Sequence, residues 1–86
     1  MVVPSETVDF KRAVKIFPNP ASNLLTIESS VDWTQARIFN SLGALVHTVN
    51  NEPGTLRLDV SDWAAGAYAI VLFYEGGSGT FQFVKQ

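Results

Sequence analysis

Thr55-Leu56-Arg57-Leu58-Asp59-Val60-Ser61-Asp62-Trp63-Ala64-Ala65-Gly66-Ala67-Tyr68-Ala69-Ile70-Val71-Leu72-Phe73-Tyr74 is the stretch that decides the fold. It opens with strict alternation. Leu56, Leu58 and Val60 are apolar, while Thr55, Arg57 and Asp59 are polar. Successive side chains of a strand point to opposite faces, so this segment turns one face to a core and the other to water. It closes with Tyr68 to Phe73, apolar at every position, the pattern of a central strand covered on both faces. Asp59-Val60-Ser61-Asp62 between them reads as a strand end followed by an Asx or Ser turn.

Outward from this stretch the chain repeats the same grammar of short β-rich runs broken by Pro, Gly, Asn, Asp and Ser clusters. No run has a helical period. Strands are predicted over Val14–Phe17, Leu24–Glu28, Ala36–Phe39, Ala44–Val49, Thr55–Val60, Ala67–Tyr74 and Thr80–Val84. About seven strands at such spacing predict an all-β, immunoglobulin-like antiparallel β-sandwich. Asn40-Ser41-Leu42-Gly43 and Asn50-Asn51-Glu52-Pro53-Gly54 supply turn residues, and Glu75-Gly76-Gly77-Ser78-Gly79 reads as a flexible hairpin loop. Pro18 and Pro20 lack an N–H donor, so Phe17-Pro18-Asn19-Pro20 must lie at a strand end or a sheet edge. Residues 1–13 hold Pro4, Ser5, Glu6, Asp9, Lys11 and Arg12 without an apolar period and read as an arm or linker. The domain itself spans 14–86.

Composition limits the function. The 86 residues suffice for one core, and 47% hydrophobic with 16% charged residues lies far from the composition of disordered chains. There is no cysteine, so packing alone must stabilise the fold. The net charge is −2 and the six basic residues, Lys11, Arg12, Lys15, Arg37, Arg57 and Lys85, are scattered, which argues against nucleic-acid binding. The longest uncharged apolar stretch, Trp63–Tyr74, lies between Asp62 and Glu75 and falls short of the ~20 residues a spanning helix needs, so no transmembrane segment is expected. Met1 to Glu6 lack the basic and apolar regions of a secretory signal, and an exported protein of this kind would carry that signal on another segment.

The candidates for chemistry are few. His47 is the only histidine and sits in Leu45-Val46-His47-Thr48-Val49, where an exposed strand position explains it better than a nucleophilic triad; no Gly-x-Ser-x-Gly elbow exists. No enzymatic activity is expected. Asp59 and Asp62, with Asp32 and Asn50, offer oxygen ligands for calcium, yet turn capping accounts for them more simply, and neither metal nor cofactor is expected. Trp33, Trp63, Tyr68 and Tyr74 raise sugar stacking. In so small a domain most aromatics belong to the core; Trp33, following Asp32 in a loop, is the one least expected there.

Three blocks, in order, carry a family resemblance. The first is Ile16-Phe17-Pro18-Asn19-Pro20-Ala21-Ser22-Asn23-Leu24-Leu25-Thr26-Ile27, an aromatic-Pro-Asn-Pro segment followed by an alternating strand. The second is Ile38-Phe39-Asn40-Ser41-Leu42-Gly43-Ala44-Leu45-Val46, and the third Leu58-Asp59-Val60-Ser61-Asp62-Trp63-Ala64-Ala65-Gly66-Ala67-Tyr68 with its Gly-x-Tyr step. Laid end to end they resemble the type A C-terminal sorting domain of the type IX secretion system, found at the ends of proteins from Bacteroidetes. The closing Gln82-Phe83-Val84-Lys85 resembles the family's basic-apolar-apolar-basic end, with Gln82 in place of the first basic residue.

The resemblance implies a domain that reaches the periplasm behind a cleaved signal peptide and is recognised by the outer-membrane translocon. The cargo is an upstream domain of the same polypeptide, delivered to the cell surface or secreted. A cell-surface peptidase then cuts ahead of the domain, in or beside residues 1–13, and cargo is commonly attached to an anionic lipopolysaccharide. Residues expected to carry recognition are Pro18, Asn19, Pro20, Gly66, Tyr68, Gln82, Phe83, Val84 and Lys85. Thr80 to Lys85 is the candidate edge to which a partner strand adds through unpaired backbone groups. The competing readings are a carbohydrate-binding or adhesive sandwich module and an inert immunoglobulin-like spacer. A coplanar exposed row of two or more of Trp33, Trp63, Tyr68 and Tyr74 would favour sugar.

Overall fold

The computed structural model describes residues 13–50 and 55–86. Seven strands form two sheets: β1 (Val14–Phe17), β2 (Leu24–Ser29), β3 (Gln35–Phe39), β4 (Leu45–Asn50), β5 (Leu56–Asp59), β6 (Gly66–Tyr74) and β7 (Gly77–Lys85). Their order is β1-β2-β5 in one sheet and β4-β3-β6-β7 in the other, and every ladder is antiparallel. The all-β sandwich expected from alternation is therefore present, and six of the predicted strands agree with the observed ones to within one residue at both ends. In the constant-type immunoglobulin arrangement the fourth strand closes the sheet of the first two. Here β4 pairs with β3 instead. Residues 1–12 and the 51–54 part of the β4–β5 connection, where the arm and one turn were expected, lie outside the described residues.

The alternating strand behaves as read. Leu56, Leu58 and Val60 are buried and Thr55, Arg57 and Asp59 exposed. They meet Leu25 and Ile27 of β2, and across the sandwich Ala36, Ile38, Ile70, Leu72 and Phe83 complete the core. β6 is central in its sheet, flanked by β3 and β7, but only one of its faces is fully covered. Tyr68, Ile70 and Leu72 are buried, whereas Ala69, Val71 and Phe73 are half-buried. No further layer lies over that outer face among the described residues. Part of its shielding comes from a long side chain: the Arg37 guanidinium sits 5.4 Å above the Phe73 ring, a cation–π arrangement.

Two further expectations need correction. The run Glu75–Gly79 is not a loop. The turn is Glu75-Gly76 alone, Gly76 supplying the positive φ (+99°), and β7 starts at Gly77 opposite Tyr74. A Cβ at Gly77 would lie 3.3 Å from the Tyr74 hydroxyl, so the glycine makes room for that ring within a regular ladder. Trp33, the aromatic least expected inside, is only 2% exposed. Its loop carries the chain from one sheet to the other, which drops its side chain into the gap between them. Thr34 pins the loop, its N–H (2.7 Å) and hydroxyl (3.1 Å) both donating to the Phe73 carbonyl. Among the described residues no helix is long and apolar enough to cross a membrane.

Candidate functional site

The segments that carry the three blocks are distant in sequence and meet at one end of the sandwich. The β1–β2 connection, the β3–β4 turn, the β5–β6 connection and the last residues of β7 all lie there. Val60 N–H donates to Asn23 O (2.8 Å), tying the first connection to the third. Asn40 and Ser41 of the turn line an open groove with Ala67, Tyr68, Ala69 and Gln82, about 250 Å³ in volume. Leu42, 90% exposed, stands at the rim of an adjoining groove with Ala64, Ala65 and Gly66.

At the centre of this end is a clasp between the Pro-Asn-Pro segment and the chain's last strand. Pro18 and Pro20 have no N–H to give, which ends β1 at Phe17. Ala21, the first residue beyond them, donates its N–H to Val84 O (2.8 Å) and accepts from Gln86 N–H (2.8 Å), an isolated parallel bridge centred on Lys85. Asn19 Oδ1 accepts the Val84 N–H (3.0 Å) across 65 residues of sequence. Ala21 is fully buried beneath the junction, whereas Pro18, Asn19 and Pro20 are exposed.

The predicted recognition residues fall into two groups. Pro18, Asn19, Pro20, Gly66, Gln82 and Val84 are at the surface. Tyr68, Phe83 and Lys85 are interior, Phe83 1% and Lys85 8% exposed. Lys85 is no solvated edge charge: it faces inward opposite Gly66, and its Nζ donates to the main-chain oxygen of Gln86 (2.7 Å). The backbone groups of Thr80–Lys85 are not all open either, since those of Val84 are taken by Asn19 and Ala21. Sequence reasoning missed Ala21, which carries no chemical signal, and the part played by Asn40. Asn40 Oδ1 accepts from Leu42 N–H (2.9 Å) and Ala44 N–H (3.0 Å) and so sets the turn that walls the groove.

Tyr68 is a corner residue. Its hydroxyl donates to the Ala64 carbonyl four residues upstream (2.6 Å), the arrangement that fastens the corresponding strand entry in immunoglobulin-like domains. Its ring stacks on Phe83 at 5.2 Å with planes 12° apart. Tyr68→Phe keeps the stack and orphans the carbonyl, so it should destabilise the domain by about 1–1.5 kcal/mol in urea titration. An unchanged midpoint would mean the corner bond contributes nothing.

Catalytic, metal and sugar chemistry find little support. His47 is exposed on β4, its ring 5.9 Å from Trp63. Asp59 is engaged in its own turn. Ser61 Oγ (2.6 Å) and Ser61 N–H (2.9 Å) both donate to its Oδ1 and hold the carboxyl below the usual carboxylate range. A carboxylate depressed in the folded state stabilises above its unfolded pKa, and the benefit is lost as pH falls through the folded value. The expected NMR titration therefore places the Asp59 midpoint below that of a free aspartate, with Ser61→Ala raising it. Coincident midpoints in parent and variant would rule out the Ser61 hydroxyl as the cause. Among the described residues no three Asp, Glu or His side chains gather as metal ligands. The aromatics form no coplanar exposed row: Trp33 and Tyr68 are buried, and the Trp63 and Tyr68 planes differ by 48°.

Residues 15–86 match the family model of the secretion system C-terminal sorting domain. No curated protein matches the chain.

Proposed function

The chain belongs to the type IX secretion C-terminal sorting domain family, and from that membership we propose that its clasped end is the surface the outer-membrane translocon reads. Domains of this family are sorting signals and not enzymes; the role implies interaction with the type IX machinery and export to the cell surface or the medium. In the proposed route the folded domain crosses the periplasm attached to an upstream cargo. The translocon binds it there, and a cell-surface peptidase cuts within or beside residues 1–13 after transit.

One observation carries this reading. The Asn19–Val84 and Ala21–Val84–Gln86 hydrogen bonds bring the Pro-Asn-Pro block and the closing block, the two ends of the family pattern, into one surface. Such a surface exists only when the domain has folded from end to end. Tyr68, Phe83 and Lys85 then act from within, positioning that surface without being touched.

The test is export of a signal peptide–fluorescent protein–domain fusion carrying Asn19→Ala, Pro18→Ala or Lys85→Met. Asn19→Ala removes the acceptor of an exposed bond, about 1 kcal/mol, and should leave the domain folded while lowering surface fluorescence several-fold. Lys85→Met keeps the buried stem and should be exported like the parent. Equal export of folded Asn19→Ala and Pro18→Ala variants would remove the clasp from the signal.

A further inference from the structure

Among the described residues the sandwich has four sheet edges, and one of them lacks the usual protections of sequence and length. Exposed edges are normally blunted by charge, proline, shortness or a bulge, because their unpaired N–H and C=O groups recruit other strands. β1 has four residues, carries Lys15 and stops at Pro18; β5 also has four and carries Arg57 and Asp59. β4 has a register shift against β3. β7 has nine residues and an unbroken ladder against β6 from Lys85 to Gly77, with neither proline nor charge between Gly77 and Val84. Its single charge, Lys85, is turned inward.

The clasp defines how much of this edge is open. Asn19 and Ala21 bind the outward N–H and C=O of Val84, so the edge groups of β7 that point away from β6 belong to the even-numbered residues. Outward groups recur at every second residue, which leaves those of Ser78, Thr80 and Gln82. They span roughly 14 Å at about 3.4 Å per residue. Ala21 closes the window at its Val84 end.

We propose that the window Ser78–Gln82 takes an extended segment of the outer-membrane export machinery as an added strand, with the Asn19–Ala21 clasp as the stop that sets its register. The inference rests on the sorting role above and gives it a binding mode. Side chains beside the new strand would be the uncharged Ser78, Thr80 and Gln82 on the outer face. The partner segment is therefore extended and uncharged where it faces them, and it reads main chain more than side chain.

Thr80 N–H points away from β6, so Thr80→Pro removes a window donor and leaves the β6–β7 ladder donors in place, the setting in which an edge strand accepts proline. Export of the Thr80→Pro fusion should fall at least tenfold with near-UV circular dichroism retained. Thr80→Lys should reduce export and Thr48→Lys, the same charge on the opposite edge strand β4, should not. Independently of any variant, amide exchange of the wild-type domain should slow at Ser78, Thr80 and Gln82 when detergent-solubilised type IX translocon is added. Wild-type export by folded Thr80→Pro, or bound domain whose three amides exchange as in the free state, would overturn the proposal. So would protection of the same amides through a concentration-dependent dimer without translocon. Wild-type fusion that stays inside a working strain would instead fail the sorting role, and this inference with it.

Discussion

Phe83→Ala should cost about 3–5 kcal/mol, the range for truncating a fully buried aromatic. Phe83 lies inside the closing block of the family pattern, yet it is 1% exposed, stacked on Tyr68 and 6.3 Å from the Trp63 ring. Truncation removes the piece that joins β7 to the aromatic corner and leaves a cavity under the clasp. Domain stabilities are about 5–15 kcal/mol and a chain this short has no disulfide to raise its share, so most molecules should be unfolded or close to it at the growth temperature. Phe83→Leu, which fills much of the same volume, should retain a cooperative urea transition and export. A Phe83→Ala midpoint equal to the parent's would show that the ring is not core. Loss of export by a stably folded Phe83→Ala would show that the ring is touched directly.

Trp33→Ala should be comparably severe, about 3–5 kcal/mol, from the other end of the molecule. Trp33 precedes β3, whose first residue pairs with Phe73 near the end of β6, whereas the clasp meets β6 at its start. Trp33 therefore enters the core at the end of β6 opposite the proposed recognition surface. If the signal is a folded shape, export of Trp33→Ala should fall in step with the folded fraction measured by thermal melting and recover at lower temperature. Full export of a largely unfolded variant would mean that a linear motif is read.

Much of the fold was legible because its strands obey a period of two. Leu56-Leu58-Val60 could face inward in only one register, and the prolines after Phe17 could only end a strand. What was not legible came from geometry between elements. Trp33 follows an aspartate in a connection, and only the crossing between sheets brings it inside. Gly77 and Gly79 read as loop by composition, although a two-residue turn lets them continue a ladder beside Tyr74. At the site, each block was visible alone, but nothing in the sequence says that Asn19 reaches Val84 or that Ala21 sits on the edge of β7. The closing lysine reads as a surface charge until its inward face and its bond to the Gln86 main chain are seen.

The most direct test of the sorting role is the location of a fluorescent protein carrying a signal peptide at one end and residues 1–86 at the other, in strains with and without a working type IX translocon. Fluorescence at the surface or in the medium of the working strain alone is the predicted result. Periplasmic retention in both strains, with the domain folded, would contradict it.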